Sequence, residues 1–314
     1  MSPVILYLTV LLAQPNAPGD FGTISGTAVN GTHGHTPLAD AEIVLRASQE
    51  GAFVPVAQMT TDALGRFTFD ELPLESDIIY LAGVNRAGVH YPGPRVRLDA
   101  THRAANIKLI AFDAIESPAP LISHRHEITV HPGKGFLDIT ETLTIQNPSL
   151  TAFIGTQEDE NSPITLRLSL PAGFDKVTFD KEFHGRNFQI QGGHLTTGLP
   201  WPPGSRELKL TYRVPVTQRQ AILSRILDLP TENAILRVIG KDIGLVTCNL
   251  PASTTASAGE VTFAHTTLLR AGAKIELQLR SVPLRFETYG RWLAAAALAA
   301  LVTGSAAFIR RRHV

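Results

Sequence analysis

Between residues 22 and 283 the chain repeats one pattern: short runs in which apolar and polar residues alternate, broken by Gly, Pro, Asn and Asp. Strict alternation is the signature of a half-buried strand, and strands at short, regular spacing between turn residues predict antiparallel sandwiches. The clearest run is 136–147. Its odd positions are Leu137, Ile139, Glu141, Leu143 and Ile145, and its even positions Asp138, Thr140, Thr142 and Thr144 are all polar. Glu141 is the one charged residue on the apolar face. Further strands are predicted at 23–29, 42–47, 53–59, 66–70, 77–84, 95–98 and 106–112. Another set follows at 123–131, 164–170, 176–180, 188–191, 206–214, 235–239, 244–248, 261–265 and 274–279. The period of 221–229 does not decide between a strand and a short helix.

Both ends break the pattern. Residues 4–13 are almost wholly apolar, too short a run to span a bilayer but suited to the core of a secretory signal, with cleavage expected after Ala13 or Ala17. No Lys or Arg precedes that run. Residues 292–309 carry no charge, open on Trp292 and are followed by Arg310-Arg311-Arg312. An uncharged stretch of that length, an interfacial aromatic and a basic flank predict a single spanning helix with its C-terminus in the cytoplasm. A signal and a stop-transfer helix require the same orientation, so the β-rich region is expected outside.

The expected architecture is therefore all-β: tandem antiparallel β-sandwich domains plus one C-terminal transmembrane helix. Its parts are a signal peptide (1–17), a first sandwich (22–113) and a second, immunoglobulin- or fibronectin-like sandwich (121–215). A small β-unit or extension of the second (216–283), the membrane helix (292–309) and a cytoplasmic tail (310–314) complete it.

The first of these sandwiches carries a resemblance. Gly22-Thr-Ile-Ser-Gly26 opens a strand and Pro37-Leu-Ala-Asp-Ala-Glu-Ile-Val-Leu45 supplies a second. Thr61-Asp62-Ala-Leu-Gly65-Arg-Phe67-Thr-Phe69-Asp-Glu-Leu72-Pro73 reads as a hairpin. In this order the segments resemble the carboxypeptidase regulatory-like domain, and 80–91 resembles a variant of it found in bacterial envelope proteins. The resemblance implies a small transthyretin-like sandwich without catalytic residues of its own. It also implies a fold similar to starch-binding modules. Asp62 and Gly65 are expected to form the turn, with Phe67 and Phe69 in the core.

Composition narrows the function. With 28 basic and 28 acidic residues the formal net charge is zero, so no concentrated basic surface is expected and nucleic acid is not a partner. The single cysteine, Cys248, excludes an intrachain disulfide and any zinc site needing two cysteines of one chain. At the end of an apolar run it is expected as a small buried hydrophobe.

The candidate chemistry is sparse. His124-Arg-His126-Glu127 contains a His-x-x-Glu spacing used by zinc peptidases. On a strand, however, His124 and His126 share a face while Glu127 points away, so the pair diverges. Both histidines are expected on the exposed face of an edge strand. His33 and His35 fall in a loop without a nearby third ligand, and His184, His194 and His265 are isolated. Asn30-Gly31-Thr32 is a glycosylation sequon. Tyr80, Tyr91, Trp201 and Tyr212 are candidates for a sugar-stacking platform, with Trp201 expected to pack on Pro202 or Pro203.

No catalytic, cofactor or metal residue is assigned, and no cofactor is expected. The function read from the sequence is a non-enzymatic, membrane-anchored extracytoplasmic binding or scaffold protein. Its expected partners are the membrane and an envelope protein or cell-wall glycan. Alternatives are a carbohydrate-binding envelope protein and an accessory subunit of a metal-dependent hydrolase.

Overall fold

A computed structural model describes residues 21–49, 51–156, 163–179, 188–240, 245–253, 259–280, 282–283 and 297–300. The predicted signal (1–17) and cytoplasmic tail (310–314) lie outside these residues. So does the predicted membrane helix, except for 297–300, which are helical and exposed. No helix among the described residues is long and apolar enough to cross a membrane. The described chain is all-β and divides into two compact units, Met1–Ala114 and Ile115–Val314.

The first unit holds β1 (Phe21–Asn30), β2 (Thr36–Pro37), β3 (Glu42–Gln49), β4 (Ala52–Thr60), β5 (Arg66–Pro73), β6 (Tyr80–Arg86), β7 (Val89–Val96) and β8 (Ala104–Ala111). One sheet has the order β2-β1-β5, with β8 on the other side of β1; the second runs β4-β3-β6-β7. Their buried faces meet in a core that includes Ile24, Phe67 and Phe69 from one sheet and Ile43, Leu45 and Val84 from the other. Phe67 and Phe69 are both buried, their rings 6.0 Å apart. The Asp62 carboxylate accepts the N–H groups of Leu64 (2.8 Å) and Arg66 (2.7 Å), and Gly65 takes a φ of 72°. That is the turn the sequence predicts between β4 and β5.

Strand β7 runs through Pro92 and Pro94, longer than the predicted 95–98. Proline cannot donate to a ladder, so it is tolerated on edge strands. Both β7 and the proline-bearing β4 are edges of their sheet, where their prolines leave no ladder donor missing from a central strand.

The short strand β9 (Ala114–Ile115) spans the boundary, and the second unit goes on with β10 (Ile122–Gly133), β11 (Phe136–Asn147), β12 (Ala152–Phe153), β13 (Leu166–Ser169), β14 (Asp175–Phe179), β15 (Gln189–Gln191) and β16 (His194–Thr197). It continues with β17 (Gly204–Pro215), β18 (Gln220–Ile226), β19 (Thr231–Ile239), β20 (Val246–Cys248), β21 (Glu260–His265) and β22 (Lys274–Arg280). A six-stranded sheet, β14-β17-β11-β10-β19-β21, is joined by three-stranded sheets β13-β16-β15 and β18-β22-β20 and the short pair β12-β9. One core cluster takes residues from the six-stranded and both three-stranded sheets, among them Ile128, Ile139, Leu168, Leu223 and Leu277. Residues 216–283 thus contribute two strands to the main sheet and share its core.

Two expectations are corrected and one open reading is decided. Pairing is not uniformly antiparallel: β1 with β8 and β10 with β19 run parallel. Residues 220–226 are a strand whose burial alternates, with Ala221, Leu223 and Arg225 buried while Ile222 and Ile226 are exposed. An arginine inside and isoleucines outside explain why its period was ambiguous. Strand β10 is not an edge; it lies between β11 and β19.

Candidate functional site

The alternation of β11 turns every odd position inward, and it carries Glu141 into the core along with its apolar neighbours. The carboxylate is fully buried. His126 Nε2 lies 2.7 Å from Oε2, and the Tyr212 hydroxyl donates to Oε1. Arg225 Nε reaches both oxygens, at 2.8 and 3.0 Å. Burial alone raises a carboxyl's pKa, but here the Arg225 charge and the His126 hydrogen bond overcome it and hold Glu141 below the usual carboxylate range. The same surroundings push the Tyr212 phenol well up, burial first and the Glu141 charge second. An ionised carboxylate only accepts, so His126 Nε2 carries a proton.

The network continues past the guanidinium. Arg225 Nη1 donates to the Ile226 carbonyl and, at 3.1 Å, to Asp228. Asp228 in turn accepts the Ser169 hydroxyl at 2.5 Å and the Ser169 N–H at 2.9 Å. Arg225 Nη2 is buried without a hydrogen-bond partner. One arginine of β18 therefore ties its sheet to the main sheet through Glu141 and to the β13 sheet through Asp228. Each Glu141 oxygen already accepts two donors and faces no solvent, so the group serves as an internal tie; an incoming substrate has no path to it. Removing one partner of such a pair strands the other charge in the interior, which costs several kcal/mol.

The 136–147 alternation marks Glu141 as the one charged residue on an apolar face but carries no link to His126 or Arg225. The reason is a bulge. Ser123 faces Ile145, yet Arg125 faces Thr144, so β10 holds one extra residue at His124. A one-residue insertion inverts every side chain beyond it. His124 is exposed and pairs with Glu232 at 2.6 Å, while His126 is buried. Glu127 points away from His126, to Arg125 (2.7 Å) and Arg237 (3.1 Å). The His-x-x-Glu residues thus have three separate surroundings, and His124 and His126 do not share the exposed face expected of them.

The other candidates resolve in the same structural direction. In the first unit Asp113 is a hub: Arg86 donates to it from Nε (2.9 Å) and Nη2 (2.5 Å), Asn30 Nδ2 at 3.1 Å, and His33 Nε2 lies 2.8 Å away. The Arg86 hydrogen bonds, set against a smaller effect of burial, lower the Asp113 carboxyl below its ordinary range. Asn30, the sequon residue, is buried, its amide nitrogen occupied by Asp113 and its oxygen by the Thr32 N–H at 2.9 Å. His35 is exposed in a left-handed turn.

Tyr80, Tyr91, Trp201 and Tyr212 are all buried, so these four rings form no surface platform. Trp201 exchanges backbone hydrogen bonds with Phe153 at 2.8 and 2.9 Å, with the Arg206 guanidinium 5.6 Å from its ring centre. Cys248 is half-buried, and burial raises its thiol. His194 approaches Ser169 at 3.5 Å, His265 contacts Thr267, and His184 lies outside the described residues. Among the described residues no three His, Cys, Asp or Glu side chains converge as a metal site. A cleft of about 240 Å³ between the end of β17 and β18 is lined by residues such as Val214, Thr217, Gln218 and Ile222, and its wall carries no acid, base or thiol.

No family model matches this chain, and no curated protein matches it. Solved structures that are similar include native yeast leukotriene A4 hydrolase, at 9% identity over 51% of this chain and 29% of that one, with a TM-score of 0.34. Another is native leukotriene A4 hydrolase from Saccharomyces cerevisiae, at 7% identity over 51% of this chain and 29% of that one, TM-score 0.32. A third is a two-domain M1 zinc metallopeptidase variant bound to L-arginine, at 13% identity over 52% of this chain and 43% of that one, TM-score 0.32. The match spans less than half the length of each of these proteins. Likeness at this level assigns neither fold nor function.

Proposed function

We propose that the chain is a non-enzymatic binding or scaffold protein whose β-modules stand outside a membrane on a single C-terminal helix. The observation that carries this reading is the use made of its chemically capable side chains. His126, Glu141, Tyr212 and Arg225 are consumed in a buried tie between sheets, and Asp113, Asn30 and Arg86 in a tie within the first unit. Polar groups spent on rigidity suit a scaffold whose loops do the recognising. The buried state of Tyr80, Tyr91, Trp201 and Tyr212 weighs against the carbohydrate alternative as framed on those rings.

The first unit is proposed as a carboxypeptidase regulatory-like sandwich, supported by the Asp62–Gly65 turn and the buried Phe67 and Phe69. Anchorage is supported by the uncharged 292–309 stretch and the Arg310–Arg312 flank. The proposed partner is an envelope protein or cell-wall glycan. The test is proteolysis of intact cells expressing the full chain with a tag after Val314. Digestion of the β-modules with protection of the tag is expected. Digestion only after lysis overturns the topology, and turnover of a peptide or glycan by the purified full chain overturns the non-enzymatic role.

A further inference from the structure

On the outer face of the β4-β3-β6-β7 sheet, five side chains from four strands form one line. Gln58 Nε2 donates to Glu42 Oε1 at 2.7 Å, and Asn85 Nδ2 donates to Glu42 Oε2 at 2.6 Å. Asn85 Oδ1 lies 2.7 Å from His90 Nδ1, and Arg46 Nη1 lies 2.8 Å from His90 Nε2. Chemistry fixes the direction of every bond. A carboxylate only accepts, so the amide of Asn85 must turn its nitrogen to Glu42 and its oxygen to His90. His90 Nδ1 therefore carries the proton and donates. A guanidinium only donates, so Nε2 must present its lone pair to Arg46. Glu42, two strands away, thus sets the tautomer of His90.

The backbone is shaped for this arrangement. Gly83 sits on β6 opposite Val44, and a methyl group at Gly83 would lie 2.4 Å from His90 Cε1 and 2.6 Å from Nε2. The space a side chain at Gly83 would need is taken by the His90 ring, whose Nε2 meets Arg46. Glu42, Arg46, Asn85 and His90 are half-buried and Gln58 is exposed, so protons have access.

We infer that His90 and Arg46 form a pH-operated latch: neutral His90 holds the Arg46 guanidinium against the sheet, and a proton on Nε2 releases it to the surface. The two states exclude each other, because an Nε2–H cannot accept from Arg46 and two cations would stand 2.8 Å apart. The charged groups acting on the ring are Arg46, which opposes its protonation, and Glu42, which favours it; burial, the largest influence, also opposes it. The latch is therefore closed at neutral pH and opens on acidification, uncovering a mobile guanidinium that an anionic partner can engage.

Long-range ¹H–¹⁵N spectra of the full chain labelled at histidine and arginine test this between pH 8 and 5, with His90 assigned by its loss in His90→Gln. The expected result is the Nδ1–H tautomer at neutral pH, and restricted Arg46 Nη signals that collapse at the His90 midpoint. Arg46→Gln is expected to move that midpoint up and Glu42→Gln to move it down. An Nε2–H tautomer at neutral pH overturns the latch. So does a midpoint that ignores both substitutions, or an Arg46 signal that does not follow His90. Should one variant fail to fold, the other and the unmodified chain's tautomer still decide.

Discussion

Arg225 Nε stands between the two oxygens of Glu141, 2.8 Å from one and 3.0 Å from the other, with both side chains out of reach of water. Two residues 84 positions apart thereby fix how one sheet of the second unit meets another. Such a pair is poor evidence for stability as such, since the cost of desolvating both charges offsets their attraction. Its defensible role is to make one packing of the sheets far better than its neighbours.

The energetic signature follows. Glu141→Gln leaves the Arg225 charge buried without its counterion and is expected to destabilise the second unit by about 3–5 kcal/mol. Replacing the whole cluster with apolar residues, as in a His126→Leu, Glu141→Leu, Tyr212→Phe, Arg225→Met variant, is expected to recover most of that loss. Urea unfolding monitored by Trp201 fluorescence, compared among the three proteins, checks both statements. A single variant as stable as the parent refutes the tie.

Asp113 sets a pH dependence in the first unit. Its folded pKa is depressed, so its contribution is fully present above the ordinary carboxylate value of about 4 and is lost as pH falls through that value and then the folded one. Asp113→Asn is expected to cost about 1–2 kcal/mol at neutral pH, in line with hydrogen bonds to charged groups. Denaturant unfolding should show the two proteins converging in acid. A difference that grows on acidification contradicts the assignment.

Gly65→Ala tests the turn between β4 and β5. The left-handed backbone costs an L-residue about 1–2 kcal/mol, and the new methyl would lie 2.6 Å from the Ala28 carbonyl oxygen. A loss of more than about 2 kcal/mol in thermal unfolding of the first unit is expected. Gly83→Ala acts differently. The methyl would displace the His90 ring and come within 3.0 Å of the Tyr91 carbonyl oxygen, so this variant is expected to lose a little stability and to free Arg46 at every pH, read from the same arginine signals.

Ile222 is 71% exposed on β18, at the end of its sheet among the described strands. Exposed apolar edges invite pairing with other chains. Ile222→Lys is expected to change stability by less than about 0.5 kcal/mol while lowering self-association in sedimentation velocity.

Much of this architecture was legible in the residues. The 136–147 alternation translates directly into β11, and Asp62 with Gly65 into its turn. What escaped has specific causes. Alternation reports faces only while register holds, and the extra residue at His124 inverted the reading of His126. A period-two pattern says nothing about partners, so it could not show that β1 meets β8 in parallel or that β19 lies beside β10. Buried charges defeat an apolar count: Arg225 made β18 look irregular because a polar residue occupied an inward position. The latch around His90 draws on four strands, a grouping that only pairing creates.

The parallel pairing of β1 with β8 has a consequence in time. During synthesis β1, ending at Asn30, leaves the ribosome long before β8, beginning at Ala104. Until then one flank of the first strand has no neighbour, whatever hairpins have formed between. Long-range pairings are slow to close and leave nascent chains prone to aggregate. The first unit is thus completed by its last strand, and until that strand is made the open flank of β1 is where the nascent chain can pair wrongly.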